Sequence, residues 1–163
     1  MSPRPAQRLV IFVCTGNTCR SPMAEALLRH ALPADTEWEI ASAGLCAIPG
    51  LSASGGAVAA LRDSGIDLSA HRSRMLTPAL VRQASVIVAL ASTHRDQILQ
   101  DHPAAEQRLF LLRSFAADDA PRDRDIDDPV GASTAAYRLC RERIAAAIPG
   151  LVDFLTTCRP PPR

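Results

Sequence analysis

Five consecutive apolar residues, Leu9 to Val13, run into a seven-residue loop, Cys14 to Arg20, which opens onto Ser21-Pro22 and the series Met23 to Leu28. The apolar run reads as a buried strand, and the series after the loop predicts a helix with Ser21 as its cap and Pro22 at its first position. A strand, a tight loop and a helix in that order aim several backbone N–H groups and the positive end of the helix dipole at one point. Such a point suits a tetrahedral dianion.

Arg20 closes the loop with a planar fork that can meet two oxygens of such an anion, while Cys14 starts the loop beneath its central atom. A cysteine facing a helix N-terminus and an arginine ionises more readily than a free thiol, whose pKa is roughly 8.5, and the thiolate is the nucleophile. Gly16 and Asn17 suit the positive φ angles a closed cradle needs. A bare C-x5-R is common, and its plain reading is a strand-end cysteine with a chance arginine. In this chain the glycine, the asparagine, the Ser-Pro helix start and the apolar strand agree with the cradle. No Gly-Lys-Ser/Thr follows, which disfavours a nucleotide loop of the Walker type. Zinc held by Cys14 and Cys19 needs two further ligands, and only the scattered Cys46, Cys140 and Cys158 remain, so no metal is expected.

The 163 residues are expected to form one domain, 1–163, with about 1–7 and 159–163 flexible because the ends are polar and proline-rich. With 18 basic residues, all arginine, against 17 acidic ones, the net charge is +1. That balance gives no electrostatic case for nucleic acid or an anionic membrane as partner, and the arginine and alanine bias reads as coding background. No apolar stretch approaches the ~20 residues that span a bilayer, and Met1 to Arg8 is too polar for a signal peptide. Five cysteines without framework spacing fit a reducing compartment, so a cytoplasmic location is expected.

Further along, Trp38 to Ser42 predicts a strand ending at Ala43-Gly44, followed by a loop through Pro49 and Gly50. Ser54 to Ser64 has helical spacing and stops at Gly65, Thr77-Pro78 opens a short helix, and Val86 to Leu90 is the most strand-like run in the chain. Thr93 to Gln100 reads as a helix, Leu109 to Leu112 as a strand, and Arg113 to Gly131 as a long polar loop. The last helix runs from Ser133 or Thr134 to about Leu155 and is expected to kink at Pro149. Strands alternating with helices imply a parallel sheet covered on both faces, with ligands beyond the carboxyl ends of the strands.

Displacing a group from phosphorus requires a proton donor opposite the nucleophile. The long loop contains D-I-D-D-P-V-G, Asp125 to Gly131, and Asp128 is the candidate because the proline after it holds its backbone extended. Asp118, Asp119, Asp123, Asp125 and Asp127, and on spacing alone Asp128 too, also fit a solvated acidic loop.

The series C-T-G-N-T-C-R-S-P-M-A-E, Cys14 to Glu25, with the distant D-P-V-G, resembles the low-molecular-weight protein tyrosine phosphatase family over nearly the whole chain. That resemblance implies an α/β fold: a four-stranded parallel sheet flanked by helices on both faces, with the phosphate-binding loop after strand 1. It also implies a phosphatase of phosphorylated proteins that uses no cofactor. Cys14 would be the nucleophile, Arg20 the phosphate ligand, and Asp128 the general acid and then the general base. Thr15, Gly16, Asn17, Thr18, Cys19 and Ser21 would form the cradle, Asn17 and Ser21 holding its shape and the thiolate. Ser42 and His71 match supporting hydrogen-bonding positions, although alone each reads as an ordinary satisfied polar group. Cys19 matches a second loop cysteine that can form a reversible disulfide with the nucleophile; its alternative is a small buried packing residue.

Two departures bear on substrate. The tyrosine phosphatases usually carry a branched apolar residue at the position of Thr18, and aromatic residues at those of Val130 and Gly131. A phenyl ring gains from apolar and stacking contacts, whereas a phosphoguanidinium carries N–H groups that gain from a hydroxyl and nearby carboxylates. The loop, with Thr93-His94, resembles the bacterial protein arginine phosphatase branch, although Val130 replaces that branch's usual phenylalanine. Phosphoarginine on protein is therefore the preferred substrate, with phosphotyrosine as the alternative. A thiol-dependent arsenate reductase on the same fold wants further cysteines after the third helix, and Met75 to Gln107 contains none. A plain oxyanion binder has no need of both Cys14 and Asp128. The oligomeric state is not legible.

Overall fold

The computed structural model describes residues 7–117 and 124–157. The strands β1 (Arg8–Cys14), β2 (Trp38–Gly44), β3 (Ala84–Ala89) and β4 (Leu109–Leu111) form one parallel sheet in the order β2-β1-β3-β4. The helices are α1 (Arg20–Ala31), α2 (Gly55–Arg62), α3 (Pro78–Gln83), α4 (Ser92–Asp101) and α5 (Thr134–Thr157), with 3-10 turns at Pro103–Arg108 and Leu112–Phe115. The expected flexible ends, apart from Gln7, and Asp118, Asp119, Asp123 and Cys158 lie outside the described residues.

Side chains alternate across a strand, so β1 feeds two cores. Val10 and Phe12 join the face covered by α1, α2 and α5, through Met23, Leu28, Leu61, Ile144 and Leu151. Leu9, Ile11 and Val13 join the other face, with Val81 of α3 and Ile98 of α4. The sheet is therefore covered on both sides, as the alternating pattern predicted. From β1 the chain turns to β2 on one side and later to β3 on the other, which makes the carboxyl end of β1 a topological switch point. The loop from Cys14 to Arg20 begins there.

Several helix ends follow the predicted chemistry. Ser54 caps α2 by accepting Ala57 N–H at 3.3 Å, and Thr77 caps α3 by accepting Leu80 N–H at 3.2 Å with Pro78 behind it. Gly65, at φ +74°, ends the turn after α2. The start of α1 differs from expectation. Its cap is Cys19, which makes no capping hydrogen bond, and Arg20 rather than Pro22 is the first helical residue. The reason is that the Ser21 hydroxyl is spent inside the loop, on Cys14 and Asn17. Helix α5 passes through Pro149 to Thr157, and beside it Gly150 lets the Phe115 carbonyl sit where a methyl group would be.

Candidate active site

Asn17 organises the loop. It has φ 56° and is fully buried, while Gly16, the other residue expected to need a positive φ, does not adopt one. Asparagine tolerates this left-handed conformation better than most residues, because its short amide finds local partners. Here it finds all of them. The two protons of Asn17 Nδ2 go to Ser21 Oγ at 2.8 Å and Ser42 Oγ at 2.9 Å, and its Oδ1 accepts Arg74 N–H at 2.9 Å. The main-chain oxygen of Asn17 accepts from His71 Nε2 at 2.7 Å, which places the proton of that ring on Nε2. Ser42 passes its own proton to Glu25 Oε2 at 2.5 Å, and Glu25 is also paired with Arg29 at 2.8 Å.

Cys14 Sγ lies 2.9 Å from Ser21 Oγ. Ser21 Oγ already receives a proton from Asn17, so its own hydroxyl proton is free to point at the sulfur. A chain of polar groups thus runs from the Glu25 carboxylate to Cys14, crossing β2 and α1. Gly44, at the end of β2, supports the loop from below: a methyl group there would meet Thr15 O at 2.5 Å and Asn17 N at 3.0 Å.

Thr15 Oγ1 is held at 3.0 Å by His94 Nε2 on α4. Burial, helped by the Arg20 guanidinium, pulls the His94 pKa down to about 4, against the opposing pull of Asp125 and Asp128. The ring is therefore neutral at pH 7. Arg20 is buried, with Nη1 donating to Ile126 O at 3.0 Å and Nη2 lying 3.4 Å from Asp128 Oδ2. The half-exposed Asp128 also accepts Val130 N–H at 3.1 Å across Pro129. The phosphate-ligand candidate, at the end of the loop that Cys14 begins, and the acid candidate thus meet, although Asp128 lies 108 positions after Arg20.

Cys19 is buried, with its sulfur 3.0 Å from Ser54 Oγ and 3.7 Å from Tyr137 OH. Cys14 and Cys19 are not bonded to each other in this structure. Thr18 Oγ1 has one weak contact, at 3.9 Å to Cys19 Sγ. Burial raises the Tyr137 pKa and pushes that of Cys140 up to about 12.

The structure places Ser42 and His71 on Asn17 of the loop, and Asp128 beside Arg20. Asp127 is a solvated residue paired with Arg143 at 3.7 Å, whereas Asp125 is partly buried and bonded twice to Ser92. Sequence reasoning missed Glu25, Gly44, Arg74 and the His94–Thr15 contact. The small Ala43-Gly44 pair was a usable signal for Gly44, while Arg74 contributes a backbone N–H that no side-chain pattern reveals.

Residues 9–159 match the family described as low molecular weight phosphotyrosine protein phosphatase. The chain is 40% identical over 149 residues to a protein-arginine-phosphatase of Geobacillus stearothermophilus, covering 91% of this chain and 96% of that one. It is 38% identical over 122 residues to a probable low molecular weight protein-tyrosine-phosphatase, EpsP, of Ralstonia solanacearum, covering 75% and 78%. Its fold overlays that of a cysteine-to-serine mutant of the YwlE arginine phosphatase with a phosphorylated active-site serine. There the TM-score is 0.80 at 33% identity, covering 93% of this chain and 97% of that one.

Proposed function

Since the chain belongs to the low molecular weight phosphotyrosine protein phosphatase family, we propose that it hydrolyses phosphorylated protein side chains through a phosphocysteine at Cys14, with phosphoarginine as the preferred substrate. The observation that carries this reading is the 3.4 Å approach of Asp128 to Arg20 above a loop that starts at Cys14. A phosphoryl dianion in the cradle takes the place of the Asp128 carboxylate on the Arg20 fork. It also meets the first-turn N–H groups of α1, where Cys19 supplies no side-chain cap.

In the first step the Cys14 thiolate forms the S–P bond as the P–N bond of phosphoarginine breaks. Its electron pair departs on nitrogen, and Asp128 supplies the proton. In the second step Asp128, now a carboxylate, takes a proton from the attacking water. The S–P bond breaks, inorganic phosphate leaves, and the Ser21 hydroxyl receives the returning thiolate. Asn17, Ser42 and His71 hold the loop, and Thr15, Gly16, Thr18 and Cys19 complete its rim. The phosphorylated serine at the active site of the YwlE mutant supports a covalent route. The family match over residues 9–159 supports one domain, and no described helix is long and apolar enough to cross a membrane.

Preference for phosphoarginine rests on the nearly unpartnered Thr18 hydroxyl and on exposed Val130, which leaves no aromatic wall beside Asp128. The arginine phosphatase relative agrees, and the EpsP relative keeps phosphotyrosine as the second reading. Two variants test the assignment. Cys14→Ser should abolish turnover while inorganic phosphate still binds; retained turnover removes the covalent route. Thr18→Ile should shift selectivity from phosphoarginine to phosphotyrosine peptides, and an unchanged ratio removes Thr18 from recognition.

A further inference from the structure

Asp125 stands three residues before the acid candidate, and both of its carboxylate oxygens are bonded to the start of α4. Its Oδ1 accepts Ser92 N–H at 2.7 Å and its Oδ2 accepts the Ser92 hydroxyl at 2.9 Å. Ser92 is the first residue of α4, and the residue at the cap position, Ala91, has no side chain able to cap. Asp125 supplies that cap from another part of the chain, in the favoured arrangement of a negative charge at a helix N-terminus. Its main-chain oxygen accepts from Arg143 Nη2 of α5 at 3.2 Å.

The next residue continues the mooring. Ile126 donates its N–H to Leu90 O at 2.8 Å, buries its side chain and accepts from Arg20 Nη1 at 3.0 Å. Asp127 then points outward to Arg143 and solvent, and Asp128 points back to Arg20. The register of this segment on the end of β3 decides which aspartate reaches the cradle. A slip of one residue replaces Asp128 by Asp127. Burial of the Ile126 side chain between two aspartates already resists a one-residue slip, and the two-oxygen clasp on Ser92, which neither Arg124 nor Ile126 could make, reinforces that register and fixes the direction in which the segment leaves it.

We propose that Asp125 is a positioning residue for proton transfer: by clasping Ser92 it fixes the register and direction from which Asp128 delivers its proton to the leaving group. The inference rests on the reading of Asp128 as the acid. The same clasp also caps α4, which carries His94 and its bond to Thr15, so a purely structural role would act through the cradle instead.

The two roles separate by leaving group. Phenyl phosphate needs its departing oxygen protonated, while 4-nitrophenyl phosphate releases a stabilised anion that depends little on an acid. The full-length Asp125→Ala protein should lose about 10- to 100-fold in kcat/KM on phenyl phosphate. On 4-nitrophenyl phosphate the loss should be within about 3-fold, and inhibition by inorganic phosphate should be unchanged. Asp125→Asn keeps one acceptor oxygen and should fall between that variant and wild type. Ser92→Ala removes only the hydroxyl half of the clasp, and it reads the same leaving-group effect at smaller size should Asp125→Ala fail to fold. Combined with Asp128→Ala, the Asp125→Ala change should add no further loss on phenyl phosphate. Equal losses on both substrates, weaker inhibition by phosphate, or full additivity with Asp128→Ala would overturn the proposal. A leaving-group effect in Asp128→Ala with none in Asp125→Ala or Ser92→Ala removes this inference alone. No such effect in Asp128→Ala removes the acid assignment and the inference with it.

Discussion

Replacing Gly44 by alanine applies force to the loop from below without altering any side chain of the cradle. The added methyl carbon would lie 2.5 Å from Thr15 O, 2.9 Å from Ala47 Cβ and 3.0 Å from Asn17 N. Carbon and carbonyl oxygen normally stay about 3.3 Å apart, so something must move by roughly 0.8 Å. Gly44 cannot retreat, because its N–H is bonded to Arg74 O at 2.9 Å, its carbonyl to Leu76 N at 2.8 Å, and its strand is in register with Cys14. The loop has to give. Forcing a packed site in this way costs about 1–3 kcal/mol of stability, and a displacement of about 1 Å at a reacting centre costs on the order of 100-fold in rate. We expect kcat/KM on 4-nitrophenyl phosphate to fall about 30- to 100-fold, with weaker inhibition by inorganic phosphate and a lower Tm. Gly55→Ala, where a methyl group meets nothing within 4 Å, is the control and should retain full activity. A folded Gly44→Ala protein with wild-type kcat/KM and phosphate inhibition would refute the idea that β2 props the loop.

Asn17→Ala should lower stability by about 3 kcal/mol in urea unfolding, since it leaves the Arg74 N–H unpaired and places alanine in a left-handed conformation; a loss below about 1 kcal/mol would contradict the organising role of that side chain. The His94 pKa of about 4 lies below the ordinary 6.5, so folding favours the neutral ring. The stability this contributes is complete above pH 6.5 and is lost as pH falls towards 4, up to about 3 kcal/mol. Urea midpoints between pH 7.5 and 4 should show this limb in the wild type and a flatter one in His94→Gln, and identical slopes would rule the ring out. With its pKa pushed up to about 12, buried Cys140 should stay unmodified by iodoacetamide under native conditions at pH 8, while exposed Cys46 is alkylated. Mass spectrometry of digests reads both, and rapid labelling of Cys140 would show that its surroundings open.

Most of the fold was legible because it rests on local signals. The β1 run and the Thr77-Pro78 start each act within a few residues and the structure places an element boundary at each, whereas α2 ends at Arg62, before the expected stop, and Gly65 closes the turn that follows. Legibility faded where a residue's role depends on groups far along the chain. Ser21 looks like a cap in the sequence, yet its hydroxyl is drawn into the loop by Asn17 and Cys14, a competition no window of sequence displays. Asp125 and Asp127 are two residues apart in one acidic stretch, and only the arrival of Ser92 from the end of β3 makes one a clasp and leaves the other in solvent. The acid candidate was found through its proline and the resemblance. Its partner, the buried Arg20 fork, was found through the loop, and their meeting is a property of the parallel sheet order.

The Asn17 side chain and carbonyl are bonded on every side, by buried Ser21 and Ser42, by His71 and by the backbone of residue 74. The Thr18 hydroxyl and the exposed Val130 side chain, by contrast, are held by almost nothing. A lineage carrying this arrangement is free to exchange rim side chains, and with them its choice of phosphorylated residue, at little thermodynamic penalty. Changes to the scaffold beneath would be eliminated by selection. Diversity of client proteins can therefore accumulate around an unchanging chemical engine.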